Sequence, residues 1–264
     1  MRCRLLVGVF FGVVVLSAFP ISIAWTVRAQ SQGPAQQSAA AAPRKDMTGI
    51  WVPQGVSPIG FSDKHPAFTP LGEKMFRANK PGRGITEVPV ADTNDPLDSC
   101  DPEGFPRNEI FEFRAVQVTQ AHDRMLFAYQ YQRVWRAIFT DGRELPKEPD
   151  ASWYGYSVGK WVDDFTFVVQ TVGLDDRTWI DNSGLPHSED LHVEERFHRV
   201  DYNTIEFTLT IDDPKIYTQK WTILDKLKMH LDNTLEIPEM ICVPTEMDQY
   251  KKRMAAPAAG EDRR

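Results

Sequence analysis

The stretch Leu191-His-Val-Glu-Glu-Arg-Phe-His-Arg-Val-Asp-Tyr-Asn-Thr-Ile-Glu-Phe-Thr-Leu-Thr-Ile211 decides the fold. Leu191, Val193 and Phe197 recur at period two, and so do Ile205, Phe207, Leu209 and Ile211. Period-two alternation puts one set of side chains on one face of a strand. Asp201-Tyr-Asn-Thr204 between the two runs has the residues of a hairpin turn. Working outward, Met125, Phe127, Tyr129 and Tyr131 alternate in the same way, then Trp135, Ala137 and Phe139. The run Trp161–Thr171 carries Phe165, Phe167 and Val169, and Asp141-Gly142 is a turn signal. Further short strands are expected at Gln219–Leu224, Lys228–Leu231 and Leu235–Val243. No helix-period segment lies between these runs, which disfavours a parallel α/β sheet. The fold class is all-β: an antiparallel barrel or sandwich of about eight or nine strands.

Upstream the texture changes. Nine prolines fall between Pro53 and Pro106. Proline lacks the N–H that a sheet ladder needs, so this segment is expected to be irregular. One short helix is predicted within it. Thr69 caps it, Pro70 suits its first turn, Leu71 and Met75 share a face, and Asn79-Lys-Pro-Gly82 stops it.

The chain of 264 residues is 42% apolar, enough for one sizeable domain and incompatible with wholesale disorder. Arg2 and Arg4 precede an apolar run from Leu5 to Phe19, and Val27-Arg-Ala29 offers a cleavage site. Residues 1–29 therefore read as a secretory signal peptide. An uncleaved anchor is the alternative, because Leu5–Trp25 is just long enough to span a bilayer. Residues 30–46 and 251–264 are low in complexity and are expected to be a flexible linker and tail around one domain at 47–250. Without the leader, 27 basic residues face 37 acidic ones, a net charge of −10. That charge gives no reason to seek nucleic acid or, after cleavage, an anionic membrane. A small molecule is the expected partner. In an oxidising compartment Cys100 and Cys242 are expected to form a disulfide.

Two Gly-x-Trp triplets occur, Gly49-Ile-Trp51 and Gly159-Lys-Trp161. The first resembles the opening strand of lipocalin-like barrels. That resemblance implies a Trp plugging one barrel end, under a basic residue from the last strand. A longer set of motifs is similar to a large family of uncharacterised exported bacterial proteins. It comprises Asp141-Gly-Arg-Glu-Leu-Pro146, Gly155-Tyr-Ser-Val-Gly-Lys-Trp161 and Gly173-Leu-Asp-Asp-Arg-Thr-Trp-Ile-Asp181. It continues through Pro186-His-Ser-Glu-Asp-Leu-His-Val-Glu-Glu-Arg-Phe197 and Asp213-Pro-Lys-Ile-Tyr-Thr-Gln-Lys-Trp221. The resemblance implies export and a β fold and carries no catalytic assignment.

Ionisable residues are densest between Asp175 and Glu195. His187, Glu189 and His192, with or without Asp181, suit a divalent metal chemically, although the spacing is not HExxH. Alternatively His187 acts as a metal-free acid–base group oriented by Asp176, Asp181 or Glu189, as a lyase or isomerase requires. The third reading is structural, with local pairs in the loop and His192 on a wet strand face. Glu195 stands out because it falls on the apolar face of its strand. A buried carboxylate needs a partner, and Arg136 or Arg177 could supply one. With Trp135, Tyr129, Phe165, Phe167 and Trp179 as apolar walls, the expected function is binding of a small, partly apolar ligand inside the barrel. That expectation requires a cavity beside Glu195 or His187. The cofactor, if any, is unknown. An interaction protein docking through its proline-rich segment is the remaining class, and it requires a large exposed apolar patch.

Overall fold

The structure, a computed structural model, describes residues 40–55 and 64–260. The predicted leader and the first part of the linker lie outside the described residues. Nine strands among them close into a barrel in sequence order: β1 Gly49–Pro53, β2 Val116–Gln120, β3 Arg124–Tyr129, β4 Trp135–Phe139, β5 Tyr156–Trp161, β6 Thr166–Val172, β7 His192–Arg199, β8 Thr204–Asp212 and β9 Trp221–Leu231. β1 closes the ring against β9, with Trp51 opposite Leu231. Neighbours are antiparallel except β4 and β5, which run parallel over only two residue pairs, Ile138 with Ser157 and Phe139 with Val158.

Alternation works as expected in most staves. Ile205, Phe207, Leu209 and Ile211 of β8 are buried, as are Val193 and Phe197 of β7. Phe197 stacks on Phe207 with ring centroids 4.7 Å apart, and Phe127 meets Phe197 edge-on. Barrels of this strand number have interiors that side chains can fill, and these rings fill this one.

β4 departs from the expected register. Arg136 and Ile138 point inward, while Trp135 is 65% exposed. Sequence hydrophobicity misleads here because the guanidinium has buried carboxylate partners, and the outward rings have cationic ones. Phe139 lies against the guanidiniums of Arg124 and Arg143. Phe165 sits half-buried in the turn between β5 and β6, so the single run expected over Trp161–Thr171 is two strands. The two short strands expected near the C-terminus merge into β9, and Leu235–Val243 is irregular.

Helix α1 (Pro70–Ala78) forms as predicted. Thr69 Oγ1 accepts a hydrogen bond from Gly72 N at 3.1 Å. Its buried face is Gly72 and Phe76, not Leu71. Gly72 lies so close to Ile216 that a Cβ would stand 2.3 Å from the Ile216 carbonyl oxygen. Parts of the two segments expected to be flexible carry defined contacts or helix among the described residues. Lys45 N donates to Asp164 O at 2.7 Å, and Arg199 Nη1 reaches the Asp46 carbonyl, so residues 44–46 lie along the barrel. Residues 251–259 are helical, continuing α3 (Pro244–Tyr250). No helix among the described residues is long and apolar enough to cross a membrane.

The segment from Asp101 to Phe113, with the short helix α2 (Arg107–Ile110), closes one barrel mouth. Phe105, Ile110 and Phe113 are buried in the same core as the strand residues. Cys100, at the start of this plug, forms a disulfide with Cys242, Cα–Cα 5.4 Å.

Candidate functional site

Arg136 is the hub of the interior. Its Nη2 donates to Glu195 Oε2 at 2.7 Å, and its Nη1 donates to Glu195 Oε1 and Glu109 Oε1, each at 3.1 Å. Further bonds join Nη1 to the Tyr129 hydroxyl, and Nη2 to Ser157 Oγ and Thr171 Oγ1. Alternation places all but Glu109: Tyr129, Arg136, Ser157, Thr171 and Glu195 each occupy an inward position on β3, β4, β5, β6 and β7. Glu109 comes down from α2 and accepts a short hydrogen bond from the Tyr129 hydroxyl. The Phe105 ring covers the guanidinium, 3.7 Å from its carbon.

Two buried carboxyl groups share one buried guanidinium. Burial, and then the neighbouring charge of Glu195, push the Glu109 carboxyl well above the usual range. The Tyr129 phenol is pushed up as well, chiefly by burial. Burial thus favours the protonated form of Glu109, while Arg136 and Glu195 are joined by two hydrogen bonds.

A second buried arginine stands in the plug. Asp95 grips Arg107 with two bonds, of 2.7 and 2.6 Å, and the rings of Phe111 and Trp179 flank the guanidinium. Glu103 and Asp181 add their charge around it. Glu103 is 2% exposed, and burial raises its carboxyl well above the ordinary value. Several polar atoms of this mouth have no hydrogen-bond partner: Glu103 Oε1, both side-chain atoms of Asn108, Glu109 Oε2 and Arg136 Nε. Unpartnered buried polar groups are costly and rare in a settled core.

Of the residues singled out by sequence, Glu195, Arg136 and Tyr129 come together here. Arg177 does not. It is exposed, pairs with Asp175 and lies over Trp153. Trp179 is buried beside Arg107, and Trp135 is on the outer wall. Among the described residues, hollows of about 440, 380, 350 and 210 Å³ occur, and neither Glu195 nor His187 lines any of these four. The expected interior space is occupied by Phe105. The smallest hollow lies over the plug, walled by Cys100, Pro102, Gln132 and Tyr154.

The metal reading of His187, Glu189 and His192 is corrected: among the described residues no group of three or more acidic, His or Cys side chains is arranged to hold an ion. Glu189 is exposed, whereas His187 is wholly buried. Nor do the carboxylates proposed to orient His187 hydrogen-bond it. Its Nε2 meets Thr178 Oγ1 at 2.8 Å, and its Nδ1 faces the Ser188 carbonyl at 3.1 Å. Burial lowers its pKa. Asp176 is exposed, and Asp181 accepts hydrogen bonds from Ser183 and Leu185 in its own loop. His187 thus stands as a neutral, bonded core residue.

Sequence reading missed Glu103, Phe105, Arg107 and Glu109. They lie in the proline-rich segment, where no periodicity assigns a face. The available signal was the unmatched inward position of Glu195, which demanded a cation and left Arg136 and Arg177 as the candidates. Compared with known proteins, the chain matches no protein-family model, no curated protein and no solved structure.

Proposed function

We propose that the chain is an exported barrel protein that binds a small, partly apolar molecule beside Arg136 only when the 101–113 plug lifts, since in the closed form Phe105 takes the space that the expected cavity required. One observation carries this reading. The plug fills an aromatic-lined mouth with polar atoms that find no partner, from Glu103, Asn108 and Glu109. A cover with unsatisfied groups separates from the barrel at less cost than one packed with hydrocarbon alone. A ligand that satisfies those groups and replaces Phe105 gains what the closed form lacks. Export is supported by the leader motif and by the Cys100–Cys242 disulfide, which persists in oxidising compartments.

Native mass spectrometry of the protein purified from the exported fraction, followed by a thermal-shift screen of small molecules, tests the reading. The expected result is a co-purifying mass, or library members that raise the melting temperature. Those ligands should lose their effect when Phe105 is replaced by Trp, which overfills the space. A bare protein mass together with a blank screen would overturn the proposal.

A further inference from the structure

The reading just given leaves the ligand's chemistry open, and the charge balance of the mouth narrows it. Two guanidiniums, Arg107 and Arg136, face Asp95, Glu103, Asp181, Glu109 and Glu195. Asp95 is used up by its two-pronged pair with Arg107, and Glu195 by its pair with Arg136. Asp181 is engaged by its own loop. Glu103 and Glu109 are the surplus acids, each fully buried and each with an oxygen that accepts nothing. The Phe105 ring lies over the same Arg136 guanidinium that Glu109 bonds, so the place of an apolar ring and the acid share one neighbour.

Resting on that binding site, we infer that its ligand is an organic amine with an aromatic or similarly flat apolar body. The ring takes the place of Phe105, and the ammonium group donates to Glu109. A carboxylate ligand has no place here, because Glu195 already holds the Arg136 guanidinium through two hydrogen bonds and a further anion beside these two acids finds no cation of its own. The groups facing Glu109 are Arg136 from β4, Tyr129 from β3 and Glu195 from β7. Burial raises the Glu109 carboxyl in the free protein, whereas an ammonium beside it favours the carboxylate. Binding therefore releases a proton wherever the free carboxyl still holds one, and affinity rises with pH over that range.

Isothermal titration calorimetry of the disulfide-intact full chain with 2-phenylethylamine, 2-phenylethanol and 3-phenylpropanoate tests this. Titrations in two buffers of different ionisation enthalpy count the protons. The amine is expected to bind about tenfold or more tightly than the alcohol, with proton release, and the carboxylate to give no heat. Glu109→Gln is expected to remove the preference for the amine. Phe105→Ala, which clears the ring's place without touching the acid, is expected to tighten amine binding and serves if the first variant does not fold. Equal or tighter binding of the alcohol or the carboxylate overturns the amine inference and leaves interior binding standing. Amine binding that is unchanged in both variants overturns the site. Silence from all three probes overturns the inference, and the binding reading falls only if the library screen is blank too.

Discussion

Glu103 illustrates what burial does to a single carboxyl. Water is gone, the side chain has no ion-pair bond, and the proton is held well above the ordinary value of 4.5. A raised carboxyl pKa in the folded state leaves stability intact in acid. Stability then falls as pH climbs from the ordinary carboxylate value towards the folded one, since only the unfolded chain ionises freely. Glu103→Gln should therefore raise the urea midpoint at pH 8 and leave it unchanged near pH 4, in equilibrium denaturation followed by fluorescence. His187 works in the opposite sense. Its pKa is depressed from 6.5 by burial, so the stability it contributes is present above that value and lost as pH falls below it. His187→Gln should flatten the acid limb of the same curve, whatever its constant cost elsewhere. The inward Glu195 was legible in sequence as a break in alternation, but its partner was legible only as one of two arginines, of which the structure brings Arg136 to it. Glu103 and Glu109 were not, because a turn-rich segment has no period from which to read depth.

At the scale of elements, the strands were legible because alternation and turn residues agree. β4 shows the limit. Hydropathy assigned Trp135 to the interior, yet an ion pair inside and arginine–aromatic stacking outside reverse the faces. The plug is the element on which binding turns, and its fit depends on one glycine. Gly104 has φ +76°, and a Cβ there would come within 2.4 Å of Thr178 Cγ2. Gly104→Ala should destabilise the protein by about 1–3 kcal/mol through strain and overpacking. The lost protection should concentrate in amides of residues 101–113, as read by hydrogen exchange. Equal loss of protection in every strand would show that the plug and the barrel unfold as one unit.

For the molecule as a whole, the disulfide links positions 142 apart in sequence. Closing so long a loop restricts the unfolded chain by about 4–5 kcal/mol in the chain-entropy picture. The Cys100→Ser/Cys242→Ser double variant should lose stability of that order in denaturant. Its m-value should also shift, because its unfolded state is more open. The pairing was legible from the count of two cysteines after the leader. What the bond holds was not: it joins the plug to the irregular stretch before α3 rather than to a last strand. The parallel join of β4 to β5 has a consequence of its own. With two rungs, it is the thinnest seam between staves of the cask. Across it the Arg136 side chain reaches Ser157, and beyond it Thr171 and Glu195. The same group that gives the filled interior its polarity is thus a rivet for the wall, so any guest that loosens its grip also slackens the hoop.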